Sequence, residues 1–161
     1  MLRRDRRLIA AAAPRTEVMG WADAEKIAAP LIADHNARKG VPDHPEFVKM
    51  RYRQWSECED VELIAFVTST ASLTGVVTAI VWRDHLELYE IGLPPRPDPT
   101  RTAMYLDLLF HQPLTYATAR GLTRIRAGTG AETPKASRGA VFDDLHGGVL
   151  SAAATREVAD G

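Results

Sequence analysis

The stretch VELIAFVTS (Val61–Ser69), followed by VVTAIVW (76–82) and HLELYEIGL (85–93), decides the fold. All three runs are rich in β-branched and apolar residues, which suit the pleated and half-buried surface of a strand. A polar stretch closing on Gly75 joins the first two, and only Arg83 and Asp84 join the second to the third. Links that short connect antiparallel neighbours, so the three strands read as a meander.

Upstream, the texture is helical. Asp23 predicts the start of a helix running through Lys39, with Ile27, Leu31 and Ile32 on one face and Gly40 as its stop. Arg38 and Lys39 fall at its C-terminal end, where positive charge suits the helix dipole. Pro30 lies inside that pattern and predicts a kink or a division in two. A second helix opens at Asp43, with Glu46 three residues on as in a capping box. It sends Phe47, Val48, Tyr52 and Trp55 toward a core and ends near Cys58.

Downstream, Pro94, Pro95, Pro97 and Pro99 interrupt both kinds of element. The helical period returns over residues 101–120, with Leu106, Leu109, Phe110, Leu114 and Ala117 along one side, a bend predicted at Pro113 and a stop at Gly121. Residues 123–127 read as a short strand. A strand, a crossover helix and a strand permit parallel pairing in one sheet. The fold class expected is therefore mixed α/β (α+β).

The chain has 161 residues, 45% hydrophobic and 25% charged, enough to build a core and too apolar to be disordered throughout. Lys plus Arg number 20 and Asp plus Glu 21, a formal net charge of -1, which argues against a nucleic-acid coat or a polybasic membrane protein. The lone Cys58 excludes an internal disulfide and a multi-thiolate zinc site, and a free thiol points to a reducing, cytoplasmic setting. No apolar run approaches the roughly 20 residues of a membrane span. Arg3, Arg4, Arg6 and Arg7 precede an apolar run over 8–13 that is too short for a secretory signal. The organisation expected is a basic, alanine-rich tail over 1–16, a single domain over 17–150, and a flexible tail over 151–161.

Chemistry is sparse. Asp107 and His111, four apart on the third helix, could form a general base held by a carboxylate or an ordinary surface pair. Asp143, Asp144 and His146 lack a second cluster and read as a polar turn rather than a metal site. No GxSxG, HExxH or P-loop occurs. Trp21, Trp55 and Trp82 sit in different elements and read as packing, not as a platform for bases. The informative segment is 120–139, where Arg120, Arg124, Arg126, Lys135 and Arg138 face one acid, Glu132, in a near-neutral chain. Gly128 and Gly130 follow the short strand in a turn that can approach a ligand closely. Lys135 and Arg138 then suit a phosphate or a polarised carbonyl.

Tyr105, Leu108, Pro113, Leu114, Tyr116, Ala117 and Gly121, then Gly128-Thr129-Gly130-Ala131-Glu132, then Lys135 and Arg138-Gly139, form an ordered pattern. It resembles the C-terminal signature of the FemAB-like and BioF2-like, peptidoglycan-bridge-type branch of the GNAT N-acyltransferase superfamily. The match covers roughly residues 86–140, and the earlier helix–helix–strand–strand–strand order fits the superfamily's topology. There are departures. Thr133-Pro134 stands where members often have His, and Ala140 where they have an aromatic. The proline-rich segment 94–102, with Arg96 and Arg101 as its cations, replaces the Gly-rich pyrophosphate loop of acetyl-CoA-binding members. Such proteins often carry two tandem GNAT-like halves, and this chain has room for one.

The resemblance implies a GNAT-like, mostly antiparallel central sheet flanked by helices. It implies an acyltransferase that moves an acyl or aminoacyl group directly to an amine of a small molecule or peptide. The donor is acyl-CoA (acetyl-CoA) as co-substrate, or aminoacyl-tRNA in the FemAB manner. A third reading is a non-catalytic GNAT-like half that serves binding or dimerisation. The roles implied are catalytic for Lys135, His111 and Glu90, donor-binding for Arg96, Arg101, Gly128, Gly130 and Arg138, and substrate-binding for Tyr89, Tyr105 and Glu132. A backbone N–H in 89–93 is a further candidate donor to the oxyanion. No metal and no membrane enter this reading. The partners it implies are a small-molecule amine, tRNA in the second case, and a homodimer or another chain that supplies a second half.

Overall fold

The computed structural model describes residues 2–95 and 99–144. Two compact units divide the chain, Met1–Gly130 and Ala131–Gly161. The first unit holds, in chain order, α1 (Leu2–Ala12), β1 (Arg15–Gly20), α2 (Trp21–Arg38), α3 (Pro45–Ser56), β2 (Val61–Ser69), β3 (Thr74–Trp82), β4 (His85–Gly92), α4 (Pro99–Leu106), a π-helical turn (Asp107–His111), α5 (Gln112–Arg120) and β5 (Arg124–Arg126). The described part of the second unit contains α6 (Glu132–Ala136). The strands form one sheet in the order β1-β2-β3-β4-β5, antiparallel up to β4 and parallel between β4 and β5.

The meander forms as its sequence requires. β2 and β3 pair without interruption from Val61↔Trp82 to Ser69↔Thr74. β3 lies at the centre of the sheet with seven consecutive buried residues, which explains its nearly unbroken apolar run. Side-chain alternation then divides the core in two. Ile64, Phe66, Val77, Ala79, Val81, Leu86 and Leu88 pack with Met104, Leu108 and Ala117 on the α4–α5 face. Ala65, Val67 and Val76 pack with Ala24, Ala28 and Ile32 of α2 and with Val48 and Tyr52 of α3 on the other.

Several local expectations are corrected. Residues read as a basic tail form α1, which packs against α4 and buries Asp5, and the edge strand β1. β1 has no buried residue, so its sequence lacked the apolar alternation that announces a strand. α2 begins at Trp21 rather than Asp23 and runs through Pro30 undivided. α3 starts one residue later than the capping-box reading. Pro45 takes the first turn, and His44 Nδ1 accepts from the Glu46 N–H. The helix over 101–120 is a continuous path of α4, π turn and α5. Pro113 has no N–H to give, and the chain absorbs this in the π turn, where the Gln112 N–H reaches the Asp107 carbonyl five residues back. Gly121 ends α5 in the left-handed region (φ 68), as expected.

β5 is placed from the meander's tight turn. The Asp84 carbonyl accepts from the N–H groups of Thr123 (2.9 Å) and Arg124 (3.4 Å), and the Asp84 carboxylate accepts from the Thr123 hydroxyl. At the other end of β4, Gly92 lies directly under α2. A Cβ there would come within 2.7 Å of the Leu31 carbonyl carbon and 2.8 Å of the Ile32 nitrogen. Among the described residues no helix is long and apolar enough to cross a membrane.

Gly92→Ala forces backbone apart and is expected to cost about 1–3 kcal/mol in chemical denaturation. Gly20→Ser meets nothing within 4 Å and is expected to stay within about 0.5 kcal/mol of the parent.

Candidate functional site

β4 pairs with β5 at three positions only, His85↔Arg124, Leu86↔Ile125 and Glu87↔Arg126, and then continues alone on that side through residues 88–92. The β4–β5 pair is therefore closed at one end and open at the other. Beside the opening, β4 bulges. The register runs from Ala79↔Leu88 to Val77↔Ile91, so Thr78 of β3 faces both Tyr89 and Glu90. An extra residue in one strand turns two successive side chains toward the same face. Tyr89 and Glu90 both meet side chains of α3.

Thr78 holds the bulge. Its hydroxyl accepts from the Glu90 N–H (3.1 Å) and donates to the Glu90 carbonyl (3.2 Å). With its one proton committed there, it accepts from the Tyr52 hydroxyl. Tyr52 is buried, stacked on Trp21 with ring centroids 3.9 Å apart, and burial followed by the Glu90 charge pushes its phenol well above the ordinary range. Of the backbone donors foreseen in 89–93, the Glu90 N–H is thus engaged by Thr78.

The Glu90 carboxylate is held from α2 and α3. Arg51 reaches Glu90 Oε1 at 2.8 Å and grips both oxygens of Asp43 at 3.1 and 2.8 Å. Asn36 donates to Asp43 at 2.9 Å and to Glu90 Oε1 at 3.4 Å. The Arg51 hydrogen bonds bring the Asp43 pKa down to about 2. Glu90 Oε2 is buried and has no hydrogen-bond partner among the described residues. Tyr89 meets Tyr52 and Trp55 edge-to-face at 5.7 and 5.9 Å. The sequence marks Asp43 only as a helix start, and it gives no sign that Arg51, Asn36 and Thr78 belong to the site. No spacing ties a residue on α3 to one on β4, and a threonine inside a strand gives no sign of bracing a bulge.

Two guanidinium groups lie where β4 ends. Arg38, paired with Asp34 at 2.9 Å, donates to the Leu93 carbonyl, and Arg101 donates to the Pro94 carbonyl (2.8 Å). His35 is buried with neither ring nitrogen bonded among the described residues. Burial first, then the charges of Lys39, Arg38 and Arg101, lower its pKa to about 4, so it is neutral at pH 7. Four of the six residues 94–99 are prolines, leaving two backbone N–H groups. A diphosphate here would depend on side-chain cations rather than on a cradle of amides. Arg96 lies outside the described residues.

The remaining sequence-derived candidates fall on other elements. Tyr105 packs with the α4–α5 core, on the opposite face of the sheet from Tyr89. The Asp107–His111 pairing does not form. Asp107 is buried and accepts from Thr16 Oγ1 (2.6 Å) and Gln112 Nε2 (3.1 Å). The π turn aligns residues five apart, so Gln112 takes the place expected for His111. His111 Nε2 is buried without a hydrogen-bond partner among the described residues. Gly128 and Gly130 are left-handed (φ 64 and 74), and a side chain at Gly128 would meet the Leu88 carbonyl at 3.9 Å. Glu132, Lys135 and Arg138 belong to the second unit. There, burial lowers the Lys135 ammonium against the opposing pull of Glu132, and Arg138 donates to the Pro134 carbonyl at 2.8 Å. The basic segment is partly neutralised, since Arg120 pairs with Glu62 at 2.7 Å. Among the described residues no three His, Cys, Asp or Glu side chains gather to hold a metal. His146 lies outside them.

Thr78→Val keeps the shape and strands the Tyr52 hydroxyl and the Glu90 backbone. It is expected to cost about 1–3 kcal/mol in urea denaturation, with Thr78→Ser recovering most of the loss. His35 gives a pH signature. Its folded pKa of about 4 lies below the unfolded 6.5, so stability is lost as pH falls through that window. His35→Leu is expected to reduce the loss between pH 7 and pH 5 by about 2 kcal/mol, and an unchanged pH profile would contradict the assignment.

No family model and no curated protein matches the chain. Solved structures do. A protein described as a probable acetyltransferase superposes with a TM-score of 0.55 at 14% identity, over 85% of this chain and 97% of that one. A GNAT family acetyltransferase of Staphylococcus aureus subsp. aureus USA300_TCH1516 matches with a TM-score of 0.48 at 12% identity, over 86% and 98% of the two chains. At such identities the likeness is one of fold, and it does not reach the FemAB-like branch. The mixed, mostly antiparallel five-stranded sheet with flanking helices is a GNAT-like fold.

Proposed function

We propose that the chain is an acyl-CoA-type N-acyltransferase that passes the acyl group directly to an amine. The observation that carries this reading is the divergence of β4 from β5 after three pairs, with a braced bulge at its mouth. Such an opening receives an extended thioester arm along the unpaired side of β4. Arg38 and Arg101, which bond the carbonyls at the end of β4, are the cations this reading assigns to the donor's phosphates.

The amine nitrogen attacks the acyl carbon, a C–N bond forms and the C–S bond breaks. The thiolate leaves with the sulfur electrons and takes a proton from solvent. The proton that the amine must shed is relayed to the Glu90 carboxylate, where Arg51 and Asn36 fix Oε1 and Oε2 has no hydrogen-bond partner among the described residues. Proximity is the larger contribution, since a fixed bulge and a held carboxylate make the attack effectively unimolecular.

Coenzyme A and acetyl-CoA are expected to raise the melting temperature, and thiol release from acetyl-CoA is expected to depend on added amine. Glu90→Gln should lower the rate constant by about 10²–10⁴-fold while the donor-induced thermal shift persists. A chain that shows neither thermal shift nor thiol release across a panel of acyl-CoAs and amines is not this enzyme.

A further inference from the structure

A cavity of about 270 Å³ opens on the sheet face that carries Tyr89 and Glu90, lined by Ile80, Trp82, His85, Glu87, Arg124 and Arg126. These six residues form two cross-strand rows. Ile80, Glu87 and Arg126 are register partners across β3, β4 and β5, and so are Trp82, His85 and Arg124. The rows are about 7 Å apart, and the Ile80 row is the one nearer the bulge.

The columns differ in chemistry. β3 contributes the apolar surface, with Ile80 buried and Trp82 44% exposed. β5 contributes two guanidinium groups on one face of a three-residue strand, facing a single carboxylate. Arg126 Nη1 stands 4.0 Å from Glu87 Oε2, too far for a hydrogen bond. Arg124 faces His85 and forms no ion pair among the described residues. Like charges side by side repel unless an anion lies between them. Arg83 stacks on the Trp82 ring at 4.5 Å and adds to the positive side, while Asp84 Oδ1 lies 2.8 Å from His85 Nδ1.

We propose that this cavity binds the acceptor, and that the acceptor is an α-amino acid with an apolar or aromatic side chain. Its carboxylate bridges Arg124 and Arg126, its ammonium meets Glu87, and its side chain lies on Ile80 and Trp82. Glu87 and Tyr89 alternate onto one face of β4, so the amino group sits on the bulge side of the cavity. Both charges of the ligand are needed, because Glu87 repels a simple carboxylate and the two arginines repel a simple amine. The assignment of this ligand as acceptor rests on the acyl-transfer reading. Its binding does not.

The test is a calorimetric or NMR titration of the full chain with L-phenylalanine, 2-phenylethylamine and 3-phenylpropanoate, with no acyl donor present. L-Phenylalanine is expected to saturate, and the other two to bind at least tenfold more weakly. Arg124→Gln with Arg126→Gln should weaken L-phenylalanine at least tenfold. Glu87→Gln should narrow the gap between L-phenylalanine and 3-phenylpropanoate. All three residues are exposed, so the variants keep the parent melting temperature. Absence of saturable L-phenylalanine binding by the folded chain overturns the proposal, as does equal binding by the arginine variant or equal affinity for all three probes. Binding of L-phenylalanine without acyl transfer in the donor assay would leave this site standing and remove the transferase reading. Transfer to amines with no amino-acid binding would do the reverse.

Discussion

Thr78 is one hydroxyl with three partners, and the geometry of the site depends on it. The hydroxyl closes a small ring with the N–H and C=O of Glu90 and receives the Tyr52 proton, so β-sheet, bulge and α3 are joined at one buried atom. Without the extra residue, Tyr89 and Glu90 would point to opposite faces, as neighbours in a regular strand do. With it, an aromatic ring and a carboxylate stand together beneath α2 and α3. Arg51 and Asn36 can then fix the carboxylate, and Trp55 can meet the ring.

The second constraint is at the other end of β4. Asp84, in the tight turn after β3, holds the start of β5 through its carbonyl and its carboxylate. β5 is only three residues long, so a strand anchored at its first residue cannot follow β4 to its end. The opening between the strands is a consequence of that short anchor. The same anchor sets Arg124 and Arg126 beside His85 and Glu87, and so shapes the charged cavity at the closed end.

Much of the fold was legible locally. The three strands declared themselves through composition and through links too short for anything but antiparallel pairing, and Gly121 marked a helix end that only a left-handed residue makes easily. β1 was not legible, because an edge strand with no fully buried residue carries no apolar alternation. The Asp107–His111 pair shows a different limit. Four-residue spacing is a rule for an α-helix, and Pro113 pushed the chain into a π turn where the rule becomes five. Pro113 signals a bend in the sequence, and its consequence falls on the hydrogen-bond partners of Asp107.

The candidate site was legible only in its individual residues. Glu90 and Tyr89 could be singled out, and so could the left-handed glycines of the turn after β5. By itself the sequence determined the strands, the helices and the proline segment that removes amides from the end of β4, because propensity and hydrogen-bonding capacity are properties of short stretches of chain. Tertiary structure alone decided that Arg51 and Asp43 hold Glu90, that Thr78 braces the bulge, and that the two arginines of β5 face a tryptophan of β3. Those contacts join residues far apart in the chain, and register, bulge and helix docking bring them together only when the whole sheet has formed.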